Sequence, residues 1–196
     1  MTAIFFDLDG TLLHFTKNYD DIIEETFIEV CGYCGDGWVE SYSDAFFEHF
    51  DNLDSEPYVK AFDEIWEEEP RVLRNELQKR EFQMCQKPSK IGATLDDLST
   101  DYTLGVITNG VDEWQREKLQ EHNLTGYFGI VITSYEIGEH KPSKAPFLEA
   151  QSRTNTDEFL MIGDSIEHDI KTPESMNWDT YHYNQGSFES LRNLIG

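Results

Sequence analysis

Five short apolar stretches lie along the chain, each four to six residues long and bounded by Gly, Asp, Asn or Ser. They are rich in Ile, Val, Phe, Leu and Tyr, and this pattern predicts β-strands. The predicted strands are Ala3–Leu8, Thr103–Thr108, Gly129–Thr133, Phe159–Ile162 and Thr180–Asn184. In the first four, the apolar positions are continuous rather than alternating. Continuous apolar positions are typical of strands that are covered on both faces.

Segments of helix length separate the later strands. They are Val111–His122, Ser143–Arg153 and Ile166–Trp178. Strands that alternate with single helices predict a parallel sheet with helices on both of its faces. The predicted fold class is therefore α/β, with a Rossmann-like parallel sheet.

The interval between the first two strands, Leu12 to Asp101, is too long for one helix. Four segments within it carry apolar residues at helical spacing, with prolines and acidic residues at their starts and stops. These segments are Tyr19–Cys31, Gly37–Phe50, Pro57–Glu68 and Pro70–Cys85. We therefore predict a small all-helical domain at residues 15–88, inserted after the first strand of a core that comprises residues 1–14 and 89–196.

The chain is strongly acidic. Its 196 residues include 15 Lys and Arg against 39 Asp and Glu, a formal net charge of −24. Nucleic acids and anionic membranes need positive charge on their partner, so we expect the protein to bind neither of them. Aromatic residues make up 13% and hydrophobic residues 38% of the chain, which indicates a folded protein rather than a disordered acidic one. A dense carboxylate surface is also expected in a cytoplasm rich in salt, which screens its self-repulsion.

Targeting and cysteine patterns indicate a protein of a reducing cytoplasm. No apolar run approaches the roughly 18 residues that span a bilayer, and the first ten residues lack the regions of a signal peptide. Three cysteines do not form the disulfide framework of a small secreted domain. Cys31 and Cys34 form a C-x-x-C pattern, but structural zinc needs four ligands, so we expect a simple loop between helices.

The first predicted strand ends in a pair of carboxylates, Asp7 and Asp9, followed by Gly10. Residues two apart on a strand point the same way, so these two like charges need a shared proton or a cation between them. The carboxyl ends of parallel strands are also where open α/β sheets bind ligands. An Asp-rich turn with its bend at Gly10 is the structural alternative.

Polar residues follow three further strands. Thr108 and Asn109 come at the start of the next helix, where backbone N–H groups attract an anion, although both are also ordinary N-caps. Lys141 precedes a helix, where a lysine opposes the helix dipole and is unexpected unless it faces a negative ligand. Asp164 ends the fourth strand, and Asp169 follows it. Four strand ends therefore carry a carboxylate pair, a hydroxyl, a lysine and a second carboxylate pair.

This ordered set of motifs, Asp-x-Asp-Gly-Thr, Thr-Asn-Gly, Lys-Pro and Gly-Asp-x-x-x-x-Asp, resembles the haloacid dehalogenase superfamily of phosphatases and related hydrolases. The resemblance covers the whole chain, and the helical insertion is similar to the C1-type cap of that superfamily. It implies a phosphoric monoester hydrolase. Because a cap over the pocket would have to close on the leaving group, we expect the substrate to be a small phosphorylated metabolite.

The resemblance also implies a role for each residue of the set. Asp7 would be the nucleophile that forms an aspartyl-phosphate, and Asp9 would protonate the leaving oxygen and then deprotonate water. Thr108, Asn109 and Lys141 would hold phosphate oxygens. The implied cofactor is Mg²⁺, bound by the Asp7 carboxylate, the main-chain carbonyl of Asp9, and Asp164. Asp169 would orient either Lys141 or a metal-bound water.

Several alternatives share parts of this pattern. Asp9 favours phosphate-ester hydrolysis over dehalogenation, because a halide leaving group needs no proton. A phosphotransferase or phosphomutase would use the same Asp7 and Asp9. A phospho-aspartate receiver domain would carry its phosphorylated Asp on the third strand, where this chain has Thr133 and Ser134, and it has no room for the insertion. A catalytically idle binding protein would not need the intact acidic set.

Overall fold

A five-stranded parallel sheet organises the larger of two units in the computed structural model, which describes residues 2–184. The strands are β1 (Ala3–Phe6), β2 (His14–Phe15), β3 (Cys85–Gln86), β4 (Thr103–Thr108), β5 (Ile130–Thr133), β6 (Phe159–Gly163) and β7 (Asp179–His182). The main sheet has the order β5-β4-β1-β6-β7, and β2 pairs with β3 in a small second sheet. The structure confirms the predicted α/β fold with a parallel sheet.

Helices supply the rest of the regular structure. They are α1 (Tyr19–Cys31), α2 (Trp38–Asp51), α3 (Pro57–Ile65), α4 (Pro70–Met84), α5 (Ile91–Leu98), α6 (Asp112–Glu121), α7 (Ser134–Ile137), α8 (Ala145–Ser152) and α9 (Lys171–Ser175). Prolines occupy the first position of α3 and α4, where the missing N–H has no intrahelical partner to lose. Among the described residues, no helix combines the length and the apolar character that crossing a membrane requires.

The second unit consists of Phe15–Cys85 and contains α1 to α4. The first unit is made of the chain before it, to His14, and the chain after it, from Gln86. The predicted insertion of residues 15–88 thus ends three residues later than this unit does. Residues 185–196 of the predicted core lie outside the described residues.

Aromatic side chains pack together inside the second unit. The ring of Phe27 lies 5.0 Å from that of Trp38 and 5.4 Å from that of Phe62, measured between centroids. Tyr42 and Phe62 are closer still, at 4.2 Å. Aromatic pairs at these separations stabilise a core beyond the area that they bury. The apolar positions at helical spacing therefore meet in one aromatic core.

The central position of β1 determines where the strand-end residues meet. Phe6 lies opposite Val106 of β4 on one side and Ile162 of β6 on the other, so the carboxyl ends of these three strands are in step. Phe5 packs on one face against Trp178, with the ring centroids 5.7 Å apart. The residues that directly follow β1, β4 and β6 consequently emerge at one edge of the sheet.

The structure differs from the predicted elements in several places, and the short elements β2, β3 and α7 were not predicted. The segment Ile166–Trp178 is not one helix but a π-helical turn, Ile166–Ile170, followed by the short α9. This turn begins at Ser165, whose hydroxyl accepts a hydrogen bond from the backbone N–H of His168 at 3.3 Å. The helix α5 was not predicted. Its buried residues Ile91, Leu95 and Leu98 recur at helical spacing, but eight residues cover little more than two turns, which is a short window for a helical period.

We expect the stability of the fold to increase with salt, because the net charge of −24 makes repulsion between carboxylates a cost of folding. Molar KCl screens that repulsion and should raise the melting temperature by about 5 °C relative to dilute buffer. Thermal unfolding followed by circular dichroism across a KCl series measures this shift. A sucrose series controls for exclusion of solute from the surface. A melting temperature that does not change with KCl would contradict adaptation to salt.

Candidate functional site

A cavity of about 250 Å³ opens at the carboxyl edge of the main sheet. It is lined by all seven residues singled out in the sequence, Asp7, Asp9, Thr108, Asn109, Lys141, Asp164 and Asp169, together with Ser165 and His168. The structure therefore brings the complete predicted set together within one unit. Their catalytic and binding roles remain predictions.

Lys141 forms the centre of a buried ionic cluster. Its ammonium group donates to Asp7 Oδ1 at 2.7 Å, to Asp169 Oδ1 at 2.6 Å and to the carbonyl oxygen of Ile107 at 2.9 Å. An ammonium group has three donors, and these three acceptors satisfy all of them. Asp169 accepts a further hydrogen bond, from the backbone N–H of Ser165 to Oδ2 at 3.0 Å. Of the two roles expected for Asp169, the structure thus has it in contact with Lys141.

The burial of this cluster changes its acid–base properties. Burial raises the pKa of Asp7 to about 7, and the nearby charge of Asp169 adds to this effect while Lys141 opposes it. For Lys141, burial alone would lower the pKa, but the charges of Asp7 and Asp169 outweigh it, so the pKa is raised above its usual value. The lysine therefore stays charged. A further cation near the carboxylates around it would stabilise their ionised form.

Asp9 is held by two residues of α6. Lys118 donates to both carboxylate oxygens, at 2.8 Å to Oδ1 and 3.1 Å to Oδ2. Gln115 donates from Nε2 to Asp9 Oδ2 at 3.0 Å. Residues three apart on a helix face the same side, so one face of α6 presents both donors to the turn after β1.

The segment after β4 is tied to Lys141 through the backbone. Asn109 donates from Nδ2 to the carbonyl oxygen of Lys141 at 3.0 Å and accepts from the Lys141 N–H at Oδ1 at 2.7 Å. The Thr108 hydroxyl accepts from Gln115 Nε2 at 3.1 Å. The side-chain amide of Asn109 thus holds the backbone of Lys141 in place. Phosphate binding by Asn109 stays a prediction.

Gly10 allows Asp164 to approach the turn that contains Asp7 and Asp9. Its φ of 91° lies in the left-handed region, and a Cβ at this position would lie 2.5 Å from Asp164 Oδ2. Thr11 donates from its hydroxyl to Asp164 Oδ1 at 3.1 Å. Gly10 therefore leaves room for the carboxylate of Asp164, and Thr11 orients it.

The carboxylates of Asp7, Asp164 and Asp169 could hold a metal ion. Each offers an oxygen atom, and the three atoms lie within 4.8 Å of one another. Oxygen donors of this kind suit hard divalent cations such as Mg²⁺. Among the described residues, the site also contains more carboxylates than ammonium groups: it has the four carboxylates of Asp7, Asp9, Asp164 and Asp169 and the ammonium groups of Lys118 and Lys141. The donor set and the charge both fit a divalent cation.

Sequence reasoning missed several residues of the site. Lys118 and Gln115 lie on a predicted helix, and the spacing of its apolar residues does not show which of its polar residues are buried. Both are buried beside Trp114 and Leu119. These two apolar residues mark the inner side of the helix in the sequence, but a polar residue next to them is not thereby identified as buried. Ser165 and His168 line the cavity next to predicted residues.

A family model described as haloacid dehalogenase-like hydrolase matches residues 4–182. Among curated proteins, the phosphoglycolate phosphatase of Aquifex aeolicus is 28% identical over 169 residues, which are 84% of this chain and 76% of that protein. The glyceraldehyde 3-phosphate phosphatase of Methanothermobacter thermautotrophicus is 29% identical over 181 residues, 87% of this chain and 80% of that protein.

A solved structure has the same fold. The HAD-hydrolase YfnB from Bacillus subtilis, in a crystal structure bound to magnesium, superposes with a TM-score of 0.72 at 22% identity, covering 93% of this chain and 88% of that one. These matches confirm the resemblance inferred from the four motifs, and with it the expectation of a hydrolase. The C1-type cap stays a prediction.

Proposed function

We propose that this chain, which belongs to the haloacid dehalogenase-like hydrolase family, is a Mg²⁺-dependent phosphatase. It would act on a small phosphorylated metabolite through an aspartyl-phosphate intermediate. The observation that carries the proposal is the convergence of Asp7, Asp9, Lys141 and Asp164 on one cavity. Phosphatases among the relatives support the same reaction class.

Asp7 would be the nucleophile in the first step. Its carboxylate oxygen attacks phosphorus, and the bond between phosphorus and the ester oxygen breaks. Lys141, at 2.7 Å from Asp7 Oδ1, orients this carboxylate and offsets the charge that collects around the phosphoryl group. Because all donors of Lys141 are fixed by Asp7, Asp169 and a backbone carbonyl, little reorganisation is needed during the reaction.

Asp9 would move the protons in both steps. It donates a proton to the ester oxygen as that oxygen leaves, and afterwards it takes a proton from the attacking water. The water then breaks the bond between phosphorus and Asp7, which releases inorganic phosphate and restores the free carboxylate. Thr108 ends β4 and lines the cavity together with Asn109, and its hydroxyl and the backbone N–H of Asn109 would hold the phosphate oxygens.

Asp7 and Asp164 would hold the metal, together with the main-chain carbonyl of Asp9. When bound, Mg²⁺ would supply positive charge that brings the anionic nucleophile and the anionic substrate together. Asp169 has both of its oxygens engaged, by Lys141 and by Ser165, so we assign it to orienting the lysine. Gly10 and Thr11 would keep Asp164 in its place.

A panel of phosphate esters tests the proposed function. It contains p-nitrophenyl phosphate, phosphoglycolate, glyceraldehyde 3-phosphate and pyrimidine 5′-monophosphates, each assayed for phosphate release with Mg²⁺ and with EDTA. We expect at least one small ester to be hydrolysed with a kcat/KM about 100-fold above the weakest of the panel. Activity should disappear in EDTA and return with excess Mg²⁺.

Two outcomes would contradict this function. Full hydrolysis in EDTA after dialysis would remove the metal from the mechanism. Transfer of the phosphoryl group to an acceptor sugar without release of inorganic phosphate would instead identify a phosphotransferase or a phosphomutase. The control variant is Asp179→Asn, which replaces an exposed aspartate at the start of β7 by a neutral amide and should leave every rate unchanged.

A further inference from the structure

Lys118 is a buried lysine without an assigned role. It is only 2% exposed, on a helix whose other charged residues face solvent, and it contacts both oxygens of Asp9. Burying an ammonium group is unfavourable unless a charged or polar partner compensates it. The chain has only 15 Lys and Arg residues, and this one is placed at the side chain expected to move protons.

Gln115 supports the same carboxylate and links it to the phosphate end of the site. Its Nε2 lies 3.0 Å from Asp9 Oδ2, 3.1 Å from the Thr108 hydroxyl and 3.2 Å from the carbonyl oxygen of Asn109. It is 3% exposed, and a side chain at Gly110 would collide with it. Gly110 therefore leaves the space that Gln115 occupies, and the contacts of Nε2 limit where Asp9 Oδ2 can lie.

We propose that Lys118 and Gln115 are positioning residues that hold the Asp9 carboxyl group in the orientation required for proton transfer to the leaving oxygen. This inference rests on the function proposed above. Asp9 itself is part of a turn and its side chain is 32% exposed, so the strand alone does not restrict its rotamer. Lys118 contacts both oxygens and so fixes the plane of the carboxyl group, which a single hydrogen bond would not do.

A purely structural role for Lys118 makes a different prediction. If the lysine only stabilised the packing of α6 on the sheet, its removal would slow the hydrolysis of all esters by the same factor. A positioning role acts through Asp9, whose proton matters most when the leaving group is a poor one. The dependence of the rate on the leaving group therefore separates the two roles.

The experiment compares Lys118→Met with wild type on two esters of similar shape, p-nitrophenyl phosphate and phenyl phosphate. Phenol is the poorer leaving group. We expect Lys118→Met to lower kcat/KM for phenyl phosphate about tenfold more than for p-nitrophenyl phosphate, and Asp9→Asn to show the same selectivity more strongly. In the Asp9→Asn background, Lys118→Met should cause no further loss on either ester.

Arg116→Met is the matched control. Arg116 is a cation of the same helix, is 43% exposed and pairs with Asp112 and Glu136 rather than with Asp9. Its removal should leave the ratio of the two kcat/KM values unchanged. A crystal structure of Lys118→Met should show the Asp9 side chain displaced from its position in wild type.

Equal losses on both esters in Lys118→Met, or additive losses in the double variant, would overturn the positioning role while the phosphatase function stands. A wild-type protein that, with Mg²⁺, hydrolyses neither the two aryl esters nor any ester of the panel above would overturn the proposed function and this inference together. If Lys118→Met does not fold because the Asp9 carboxylate has lost its cation, the double variant of Lys118→Met with Asp9→Asn is used instead. In that variant position 9 is neutral, so no unpaired carboxylate remains there. A double variant that differs more than about threefold from Asp9→Asn alone would then overturn the inference.

Discussion

Asp7→Asn should lower kcat by about 10⁴-fold or more for every ester of the panel, because an amide is a poor nucleophile and a poor ligand for Mg²⁺. The loss should not depend on the leaving group, in contrast to that of Asp9→Asn. Rates measured with enough enzyme to detect slow turnover, together with mass spectrometry of the acid-quenched protein, would test this. Wild type should carry one phosphoryl group during turnover, and Asp7→Asn should carry none.

Folding of the Asp7→Asn variant should be preserved. The asparagine is neutral, and Lys141 keeps its contacts with Asp169 and with the carbonyl oxygen of Ile107. Burial raises the pKa of Asp7 to about 7, so the ionised carboxylate is not favoured by its surroundings, and a neutral replacement costs little. Asp179→Asn serves as the control for the same chemical change at an exposed position. Full activity in Asp7→Asn would end the covalent mechanism.

Lys141→Met should damage both activity and stability. Removing the lysine from this buried ionic cluster leaves Asp7 and Asp169 without their shared cation, so that the two carboxylates either repel each other or take up a proton. The loss costs about 3–5 kcal/mol of unfolding free energy. For a chain of this size the melting temperature should fall by about 10 °C. Activity should fall by about 10³-fold, because the developing charge of the phosphoryl group loses its nearest cation.

Mg²⁺ distinguishes this effect from a general packing defect. A divalent cation bound by Asp7 and Asp164 would offset part of the lost charge, so it should raise the melting temperature of Lys141→Met more than that of wild type. Lys171→Met is the matched control, since Lys171 is 62% exposed and pairs only at the surface with Glu167. A Lys141→Met variant as stable as Lys171→Met in EDTA would contradict the cluster as described.

The larger part of the fold could be predicted because its strands are buried on both faces. The continuous apolar runs around Phe5 and Ile162 have few alternatives to a parallel sheet, and the order of polar strand ends then follows from the chain. The segment after Asp164 was harder to predict. Its π-helical turn depends on the side chain of Ser165 and on the burial of Asp169 against Gly163, and such tertiary contacts have no periodic signature.

The residues of the candidate site also divide into those that the sequence identifies and those that only the structure reveals. Asp7 and Asp164 could be identified because they interrupt apolar strands. Lys118 could not, because a lysine on a polar helix is usually solvated, and its burial depends on where α6 lies relative to Asp9. Asn109 was identified as a site residue, but its bonding partner, the backbone of Lys141, comes from a loop 32 residues away in the sequence. The hydrogen bonds of Asn109 to that loop therefore depend on tertiary structure.

The contact between Asn109 and Lys141 also bears on chemical ageing of the protein. Asn109 precedes Gly110, and in an Asn-Gly pair the backbone nitrogen of the glycine readily attacks the side-chain amide, which converts asparagine to aspartate or isoaspartate. Here both polar atoms of the amide are engaged with Lys141, and the Gly110 N–H donates to Ser134 Oγ at 2.9 Å. The reacting nitrogen and the amide are thus each held by other partners. The Asn109-Gly110 pair, which would deamidate readily in a free peptide, is therefore protected against deamidation in the folded protein.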